Sequence, residues 1–295
     1  MSTITAVVHT KNSGKTLETC LHSLRWCDEV FVVDMESTDD TVSIAKKYDA
    51  TIFHEKQIKI VEPMRNKYLE KVKTEWTLIV DSDEEVPETL AKKLRQLMMT
   101  QGVNAYKLPR ANIIFGKWIE HTGFWPDYIV RFFRTGKCTF PPYVHADPII
   151  DGVTETVEAH KEFALLHHHY DSIEQYVMRL NVYTSMEVEK QELQSTHFLQ
   201  AFFDEFYSRF FARQGYKDGS HGLVISLLQA IYMMVVQLKL WEKTKNEMKV
   251  SLDDVEATIN DACSDAMYWS ANERIKTEKN TLKRIGYKIK RKLNS

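Results

Sequence analysis

Runs of apolar residues alternate with helically spaced segments over the first third of the chain. Short runs rich in β-branched residues predict buried strands at four places: residues 4–9, 30–33, 51–54 and 76–80. The segments between them carry turn and capping residues followed by apolar residues at helical spacing. Strands that alternate with helices predict a parallel sheet with helices on both faces.

The pattern changes after residue 100. Residues 106–108 and 129–133 are predicted to be further strands, and residues 140–151 a loop rich in proline and aromatic residues. From about Ser172 the chain is predicted to be helical to its end. We therefore predict an α/β domain over residues 1–170 and a mainly α-helical region over residues 171–295.

The longest apolar stretch, residues 223–241, approaches the length of a membrane span. Ser226, Gln229, Gln237 and Lys239 interrupt it, which favours a buried or interfacial helix. The N-terminus has no signal-peptide pattern, and the four cysteines form no CxxC pair and show no zinc-ligand spacing. We expect a reduced, cytoplasmic protein.

Charge is distributed unevenly along the chain. Residues 274–295 carry nine Lys or Arg and one acidic residue, whereas the other 273 residues have a net charge of −10. Apolar residues of this tail share one helical face and Lys and Arg the opposite face, which predicts a helix lying on an anionic membrane. The alternative is a helix packed on the acidic body. A basic tail on an acidic body also argues against a nucleic-acid partner.

Asp81-Ser82-Asp83 is the sharpest local motif, because it follows directly on an apolar strand. Two carboxylates separated by one residue can flank Mn²⁺ or Mg²⁺, which prefer oxygen ligands. Such a cation would bridge a diphosphate and neutralise the charge that grows as it leaves. The alternative is an acidic entrance to the next helix, since Glu84 and Glu85 follow.

Three strand ends carry polar clusters, and in a parallel sheet the ligand site lies at the carboxyl ends of the strands. The clusters are Thr10 with Asn12, Asp34 with Ser37, and Asp81 with Asp83. Asp34 can accept hydrogen bonds from a nucleobase or ribose, or it can cap the following helix. Arg65 can pair with a phosphate or the base-binding region, or it can be a surface arginine.

Asp127 is the candidate general base, in a segment that also contains Arg131 and Arg134. Its alternative role is a loop aspartate paired with either arginine. We assign Arg131 to the nucleotide-sugar site. His145 and the run His167-His168-His169 are candidate metal ligands, but side chains alternate along a strand, so at most two of the three can share one ion.

Residues 4–45 resemble the opening of the family 2 glycosyltransferases. The resemblance implies the GT-A fold, a Rossmann-like mixed, mainly parallel sheet flanked by helices. The resemblance lies in the string ITAVVHTKNSGKTLETCLHSLRWCDEVFVVDMESTDDT, while Met35 and Glu36 depart from the family pattern. Arg65-Asn66 and DSDEEVPETL extend it. FWPDYIVRFFRTGKCTFPPYVHADP and LLHHHYDSIEQYVMRLNVYT resemble the branch of lipopolysaccharide-core glucosyltransferases. That branch commonly has Val-His-Glu where this chain has Val144-His145-Ala146-Asp147.

The resemblance implies a UDP-sugar or similar donor, a divalent metal and inversion at the anomeric carbon. It assigns Asp34 to the nucleobase region, Asp81 to ribose or metal, Asp83 to the main metal contact and His167 to a further one. Asp127 is then the expected base, with Asp147 as the alternative. The expected acceptor is a cell-surface glycan or a lipid-linked molecule at the inner face of the membrane. The alternatives are a glycosyltransferase that acts on a peptide side chain and a catalytically silent subunit that binds a nucleotide or glycan.

Overall fold

The computed structural model of the protein describes residues 2–56, 62–141, 147–190, 198–244 and 250–294. Contacts divide the chain into two compact units. The first, here called the α/β unit, runs from the N-terminus to Trp118 and includes Trp125–His169. The second, the helical unit, consists of Ile119–Phe124 and the chain from Tyr170 onward.

Twelve strands lie among the described residues assigned to the α/β unit, with β12 ending at Tyr170, a residue of the helical unit. Those on the N-terminal side are β1 (Ile4–Thr10), β2 (Glu29–Asp34), β3 (Thr51–His54), β4 (Trp76–Asp81), β5 (Glu84–Glu85) and β6 (Ala105–Ile114). The others are β7 (Lys117–Trp118), β8 (Asp127–Arg134), β9 (Cys138–Thr139), β10 (Ile149–Ile150), β11 (Thr154–Thr156) and β12 (Leu165–Tyr170). Its helices are α1 (Leu17–Ser23), α2 (Thr41–Lys47), α3 (Glu62–Leu69), α4 (Glu88–Leu97) and the short 3₁₀ turn Lys161–Phe163.

The main sheet has the strand order β3-β2-β1-β4-β8-β6-β12-β5. Strands β3, β2, β1 and β4 are parallel, while β8 runs antiparallel to both β4 and β6. The predicted mixed, mainly parallel sheet is therefore confirmed. The chain leaves β1 for β2 on one side and reaches β4 on the other, so a crevice opens at their carboxyl ends.

The core explains why these segments are strands. All seven residues of β1 are buried, as expected for a strand in the middle of a sheet covered on both faces. Ile4, Ala6 and Val8 pack on one face and Val7 on the other, in two separate clusters. Burying each large apolar side chain contributes about 1.5–3 kcal/mol, which fixes the register of the sheet and the position of its strand ends.

The loop predicted at residues 140–151 contains the short strand Ile149–Ile150 near its end. Cys138–Thr139 and Ile149–Ile150 pair as a small antiparallel ribbon. Residues 142–146, which include the candidate His145, lie outside the described residues.

The helical unit confirms the predicted change of class. Its helices are α5 (Ile173–Lys190), α6 (Phe198–Tyr207), α7 (Ser220–Thr244), α8 (Leu252–Thr277) and α9 (Thr281–Leu293). A π turn at Ser208–Ala212 and a 3₁₀ turn at Gly215–Asp218 join α6 to α7. Among the described helices, Ser220–Lys243 is long and apolar enough to cross a membrane, although a core helix meets the same two criteria. Ser226 and Gln237 of this helix are buried.

Helix α9 turns its basic and apolar sides in different directions. It contacts α8 through Arg291, whose guanidinium donates to Asn272 Oδ1 at 3.0 Å, and through Tyr287, whose ring lies 5.5 Å from the Arg274 guanidinium carbon. Its apolar residues follow one another at intervals of three and four and are all exposed: Leu282, Ile285, Ile289 and Leu293. The apolar face therefore points away from α8.

The segment 119–124 belongs to the helical unit by its contacts. His121 donates its backbone N–H to Asp218 Oδ2 at 2.8 Å, and its ring Nδ1 lies 3.0 Å from Oδ1 of the same buried carboxylate. Thr122, a buried β-branched residue, has a φ of 61° and is held by Arg209, which donates to its carbonyl at 2.8 Å. These contacts compensate a left-handed conformation that threonine rarely adopts.

Candidate active site

The three predicted strand ends meet at one edge of the sheet. Thr10 is the register partner of Asp34, and His9 is the register partner of Asp81. This places the ends of β2, β1 and β4 side by side. The prediction that polar clusters at three separate points in the sequence converge is thus confirmed for their backbone positions.

Hydrogen bonds between the loops lock these ends together. Asn12 accepts from the backbone N–H of Thr38 at 2.8 Å, and its own N–H donates to Ser37 Oγ at 2.8 Å. Ser13 Oγ lies 2.8 Å from Ser82 Oγ, which ties the loop after β1 to the Asp-Ser-Asp motif. Asn12 and Ser37, predicted as nucleotide-sugar ligands, therefore also shape the crevice.

Asp34 is almost fully buried at the end of β2. Its Oδ1 accepts the backbone N–H of Ser37 at 3.3 Å, and its Oδ2 lies 3.4 Å from Nδ1 of the exposed His54. The carboxylate stabilises the turn after β2 and does not cap the following helix, where Asp39 accepts from the N–H of Thr41 at 3.1 Å.

Two arginines hold the first aspartate of the motif. Arg65 of α3 contacts Asp81 Oδ1 at 2.9 Å, and Arg131 of β8 contacts Oδ2. Burial alone would raise the pKa of Asp81, but the charges of Arg131 and Arg65 outweigh it and hold the pKa well below its usual range. Asp81 is therefore ionised, with each of its carboxylate oxygens paired to a guanidinium.

Buried polar atoms without a partner occur in Arg131 itself and at the end of β1. Among the described residues, neither ring nitrogen of His9 nor Oγ1 of Thr10 has a hydrogen-bond partner, and the same holds for Nη1 of the buried Arg131. Burial and the Arg65 charge lower the pKa of His9 to about 3, so its ring is neutral. Unpaired buried donors and acceptors are costly, and they mark a place where a polar ligand or water can bind.

A second set of contacts surrounds Asp83. His167 Nε2 lies 3.7 Å from Asp83 Oδ2, and His167 Nδ1 lies 2.7 Å from Asn112 Oδ1. Asn112 Nδ2 in turn donates to Asp127 Oδ2 at 3.0 Å. The motif aspartate, the histidine and the candidate base are thus joined by one buried asparagine.

Asp127 pairs with neither of the two arginines that were considered from the sequence. Its partner is Arg110, which contacts Oδ2 at 2.6 Å, and not Arg131 or Arg134. Arg110 also approaches the buried Glu84 at 3.3 Å. The alternative pairing with Arg131 or Arg134 is not seen, because Arg110 on β6 is the register partner of Asp127 on β8.

Glu84 and the histidine run complete this region. Glu84 accepts the backbone N–H of Asp81 at 2.9 Å, and burial together with the Asp81 charge raises the pKa of Glu84. His167 and His169 share one face of β12, with ring centroids 4.5 Å apart. His168 points the other way, to Glu85 at 3.6 Å. The alternation predicted for three consecutive histidines is confirmed.

The donor atoms around Asp83 fit a divalent cation. Such ions bind carboxylate oxygen and imidazole nitrogen at about 2.1 Å, so Asp83 Oδ2 and His167 Nε2, 3.7 Å apart, lie within reach of one ion. Among the described residues, no group of three or more His, Cys, Asp or Glu side chains is arranged to hold a metal. Asp81 could serve as a further ligand only by giving up one of its ion pairs.

Four residues of the site carried no signal that we read from the sequence. His9 looks like part of an apolar strand, and Glu84 looks like the entrance to a helix. Arg110 and Asn112 stand two apart in β6, so their side chains lie on one face. Two polar residues at this spacing inside a mostly apolar strand are the one signal that could have revealed them.

The sequence also matches known proteins. A family model described as "Glycosyl transferase family 2" matches residues 5–148. An uncharacterized glycosyltransferase of Rickettsia felis is 25% identical over 83% of this chain and 93% of that protein. The lipopolysaccharide core biosynthesis glycosyltransferase LpsC of Rhizobium meliloti is 21% identical over 85% of this chain and 96% of that protein.

Among solved structures, S. aureus TarS aligns with 74% of this chain and 46% of that chain, at 18% identity and a TM-score of 0.43. The residues that the family model matches contain the three strand ends, both arginines that hold Asp81, and the Asp-Ser-Asp motif. Residues 5–148 are therefore a family 2 glycosyltransferase domain, and the chain is a glycosyltransferase with the GT-A fold.

Proposed function

We propose that this glycosyltransferase transfers a hexose from a UDP-sugar, with inversion at the anomeric carbon, to a cell-surface glycan or a lipid-linked acceptor. The observation that carries the proposal is the meeting of Asp34, Asp81 and Asp83 at adjoining strand ends. These carboxylates can accept hydrogen bonds from the donor groups of a nucleoside. The two arginines on Asp81 bring to the same crevice the positive charge that a diphosphate needs.

The donor's nucleoside is proposed to bind at Asp34, with Thr10, Asn12 and Ser37 lining the same crevice. The diphosphate is proposed to recruit Arg65 and Arg131. Both guanidiniums already lie at the strand end, held by Asp81, and Arg131 keeps one nitrogen unpartnered among the described residues. Their charges favour an anion, since planar guanidiniums can contact two phosphate oxygens at once.

Asp83 and His167 are the residues proposed to hold Mn²⁺ or Mg²⁺, with Asp81 as the further predicted ligand. The bound cation would supply charge neutralisation for the departing diphosphate. The protein's own contribution is to hold the carboxylate and the imidazole in place before the donor arrives. His167 is buried in β12 and is fixed through Nδ1, so little rearrangement is needed.

Asp127 is proposed as the general base. The acceptor hydroxyl would lose its proton to this carboxylate as its oxygen bonds to the anomeric carbon and the nucleoside diphosphate leaves from the opposite face. A single displacement of this kind inverts the configuration. Asp127 is partly exposed, at 29% of its side chain, and Arg110 and Asn112 fix its orientation. Asp147, which is exposed and follows residues 142–146, is the alternative base.

The acceptor is proposed to be presented at the inner face of a membrane, to which α9 binds peripherally. Six basic residues and an outward apolar face are what an anionic bilayer attracts, and their exposure on α9 supports this over packing against the body. The relative LpsC acts in lipopolysaccharide core biosynthesis, which supports a cell-surface glycan over a peptide side chain as acceptor.

The proposal is tested by measuring nucleotide release from a panel of UDP-, GDP- and dTDP-sugars with Mn²⁺ and lipid-linked or oligosaccharide acceptors. We expect release from a UDP-hexose that depends on the acceptor, and a product whose anomeric configuration, read by NMR, is opposite to that of the donor. A product with retained configuration would contradict inversion. Nucleotide binding without turnover against any acceptor would favour the silent-subunit reading.

A further inference from the structure

Asn112 occupies a position in the site that the reaction scheme above does not explain. It lies on β6 and is 1% exposed, and its side chain reaches two other strands. Its Oδ1 lies 2.7 Å from Nδ1 of His167 on β12, and its Nδ2 donates to Oδ2 of Asp127 on β8 at 3.0 Å. A buried amide is costly unless both ends are hydrogen-bonded, and here both ends are.

The neighbours of Asn112 fix the direction of its amide. A carboxylate such as Asp127 can only accept, so the NH₂ group must face it and the carbonyl oxygen must face His167. The reversed amide would set two oxygens against each other. Because the carbonyl oxygen can only accept, Nδ1 of His167 carries a hydrogen.

The tautomer of His167 follows from this. In the neutral ring, a hydrogen on Nδ1 leaves the lone pair on Nε2, the nitrogen that lies 3.7 Å from Asp83. This is the form a cation ligand needs. The other tautomer would place an N–H toward the ion.

We propose that Asn112 is a positioning residue that couples the cation site to the general base. One side chain fixes the tautomer and orientation of His167 and, through its other end, the orientation of Asp127. The inference rests on the roles proposed above for those two residues. It adds that they are not set independently: displacing Asn112 disturbs cation binding and proton transfer together.

Only an amide serves both partners at this position. Aspartate would still accept from His167 but would set a second carboxylate against Asp127. Leucine, of similar shape, would leave Nδ1 of His167 without its partner and Asp127 with Arg110 alone. The two substitutions therefore separate the two halves of the proposed coupling.

The test measures Mn²⁺ affinity by electron paramagnetic resonance, kcat for nucleotide release, and the ¹⁵N chemical shifts of the His167 ring without metal. We expect Asn112→Leu to weaken Mn²⁺ binding by about 10- to 100-fold and to mix the ring tautomers, because His167 loses its partner. Asn112→Asp keeps an acceptor for His167, so Mn²⁺ affinity and the Nδ1–H tautomer persist while kcat falls by at least about tenfold.

Asp127→Asn is the matched control. It removes the base and leaves His167 and Asn112 in place, so Mn²⁺ affinity is retained and kcat is lost. Thermal unfolding of each variant checks that it folds. If Asn112→Leu does not fold, Asn112→Asp, which is nearly identical in shape to the wild type, still tests the proposal.

The proposal would be overturned if folded Asn112→Leu kept the Mn²⁺ affinity of the wild type and a single Nδ1–H tautomer. It would also be overturned if Asn112→Asp had an unchanged kcat. Failure of the proposed function looks different, because then the wild-type protein releases nucleotide from no donor. The tautomer measurement on the metal-free protein still decides whether Asn112 positions His167.

Discussion

In most proteins charged groups are exposed and apolar groups are buried, and the two units depart from this distribution in opposite ways. The α/β unit buries charge: Arg131 has 8% of its side chain exposed and is paired with an aspartate, and Glu84 is fully enclosed. The helical unit exposes apolar surface: Leu282 and Leu293 of α9 are about four-fifths exposed, at 81% and 80%. Ordinary folding favours neither arrangement.

Both departures would become favourable with the partners proposed above. Buried arginines beside unpaired polar atoms suit a phosphate, and an apolar stripe between lysines suits an anionic bilayer. Function in this chain is therefore sought in this contrast, at charges that are buried and at apolar groups that are exposed.

The largest effect is expected from Asp83→Ala, which removes the carboxylate facing His167. We expect kcat for nucleotide release to fall at least about 10³-fold, equivalent to about 4 kcal/mol of transition-state stabilisation. Glu88→Gln, five residues later and fully exposed on α4, is the control and should retain activity. Full turnover by Asp83→Ala would remove Asp83 from the cation site.

The helical unit is tested next, by replacing Lys288, Lys290 and Lys292 of α9 with alanine. Each lysine near an anionic membrane contributes about 1 kcal/mol, so binding to vesicles containing phosphatidylglycerol should weaken about 100-fold. Flotation of the protein with vesicles at moderate salt measures the loss.

The matched control is alanine at Lys46 and Lys47, two exposed lysines of α2. It should bind vesicles as the wild type does. If all three proteins bind vesicles equally, α9 does not make the membrane contact. The predictions about buried charge in the α/β unit would be unaffected.

Arg131→Met tests the buried ion pair. It leaves Asp81 with Arg65 alone, and losing a partly buried charged hydrogen bond should lower the free energy of unfolding by about 2 kcal/mol. Lys137→Met removes an exposed pair with Asp151 and should cost less than about 1 kcal/mol. Urea unfolding compares the two, and equal losses would contradict the distinction between buried and exposed charge.

His9→Leu is expected to have the smallest effect, and one that depends on pH. The pKa of His9 falls from 6.5 to about 3 on folding, so the unfolded chain binds the proton first. Stability is therefore present above pH 6.5 and is lost as pH falls toward 3. Between pH 7.5 and 5.5, urea unfolding should show the wild type losing about 1.4 kcal/mol more than the variant. Parallel losses would show that His9 gains a proton without cost.

Patterns of apolar residues were enough to predict the parallel strands and the helical C-terminal region. They succeed because burial on both faces of a sheet or one face of a helix dictates a period in the sequence. The meeting of Thr10, Asp34 and Asp81 followed, since parallel strands bring their carboxyl ends together.

The partners of those residues could not be predicted in the same way. Arg110 reaches Asp127 and Asn112 reaches His167 only because β6 lies between β8 and β12, and β12 is more than 50 residues further along the chain. Strand order over such distances leaves no period to read. The alternative that paired Asp127 with Arg131 or Arg134 failed because nearness in sequence was a poor guide to nearness across the sheet.

The account stands or falls on a nucleotide-sugar site at Asp34, Asp81 and Asp83. Thermal unfolding of the wild type and of Asp83→Ala, measured with nucleotide-sugars in the presence and absence of Mn²⁺, tests this site directly. Ligand at 100 times its dissociation constant should stabilise the folded protein by about 2.7 kcal/mol. We predict that a UDP-sugar raises the Tm of the wild type when Mn²⁺ is present and that Asp83→Ala loses this increase. If no nucleotide or nucleotide-sugar raises the Tm of the wild type, with or without Mn²⁺, the claim is contradicted.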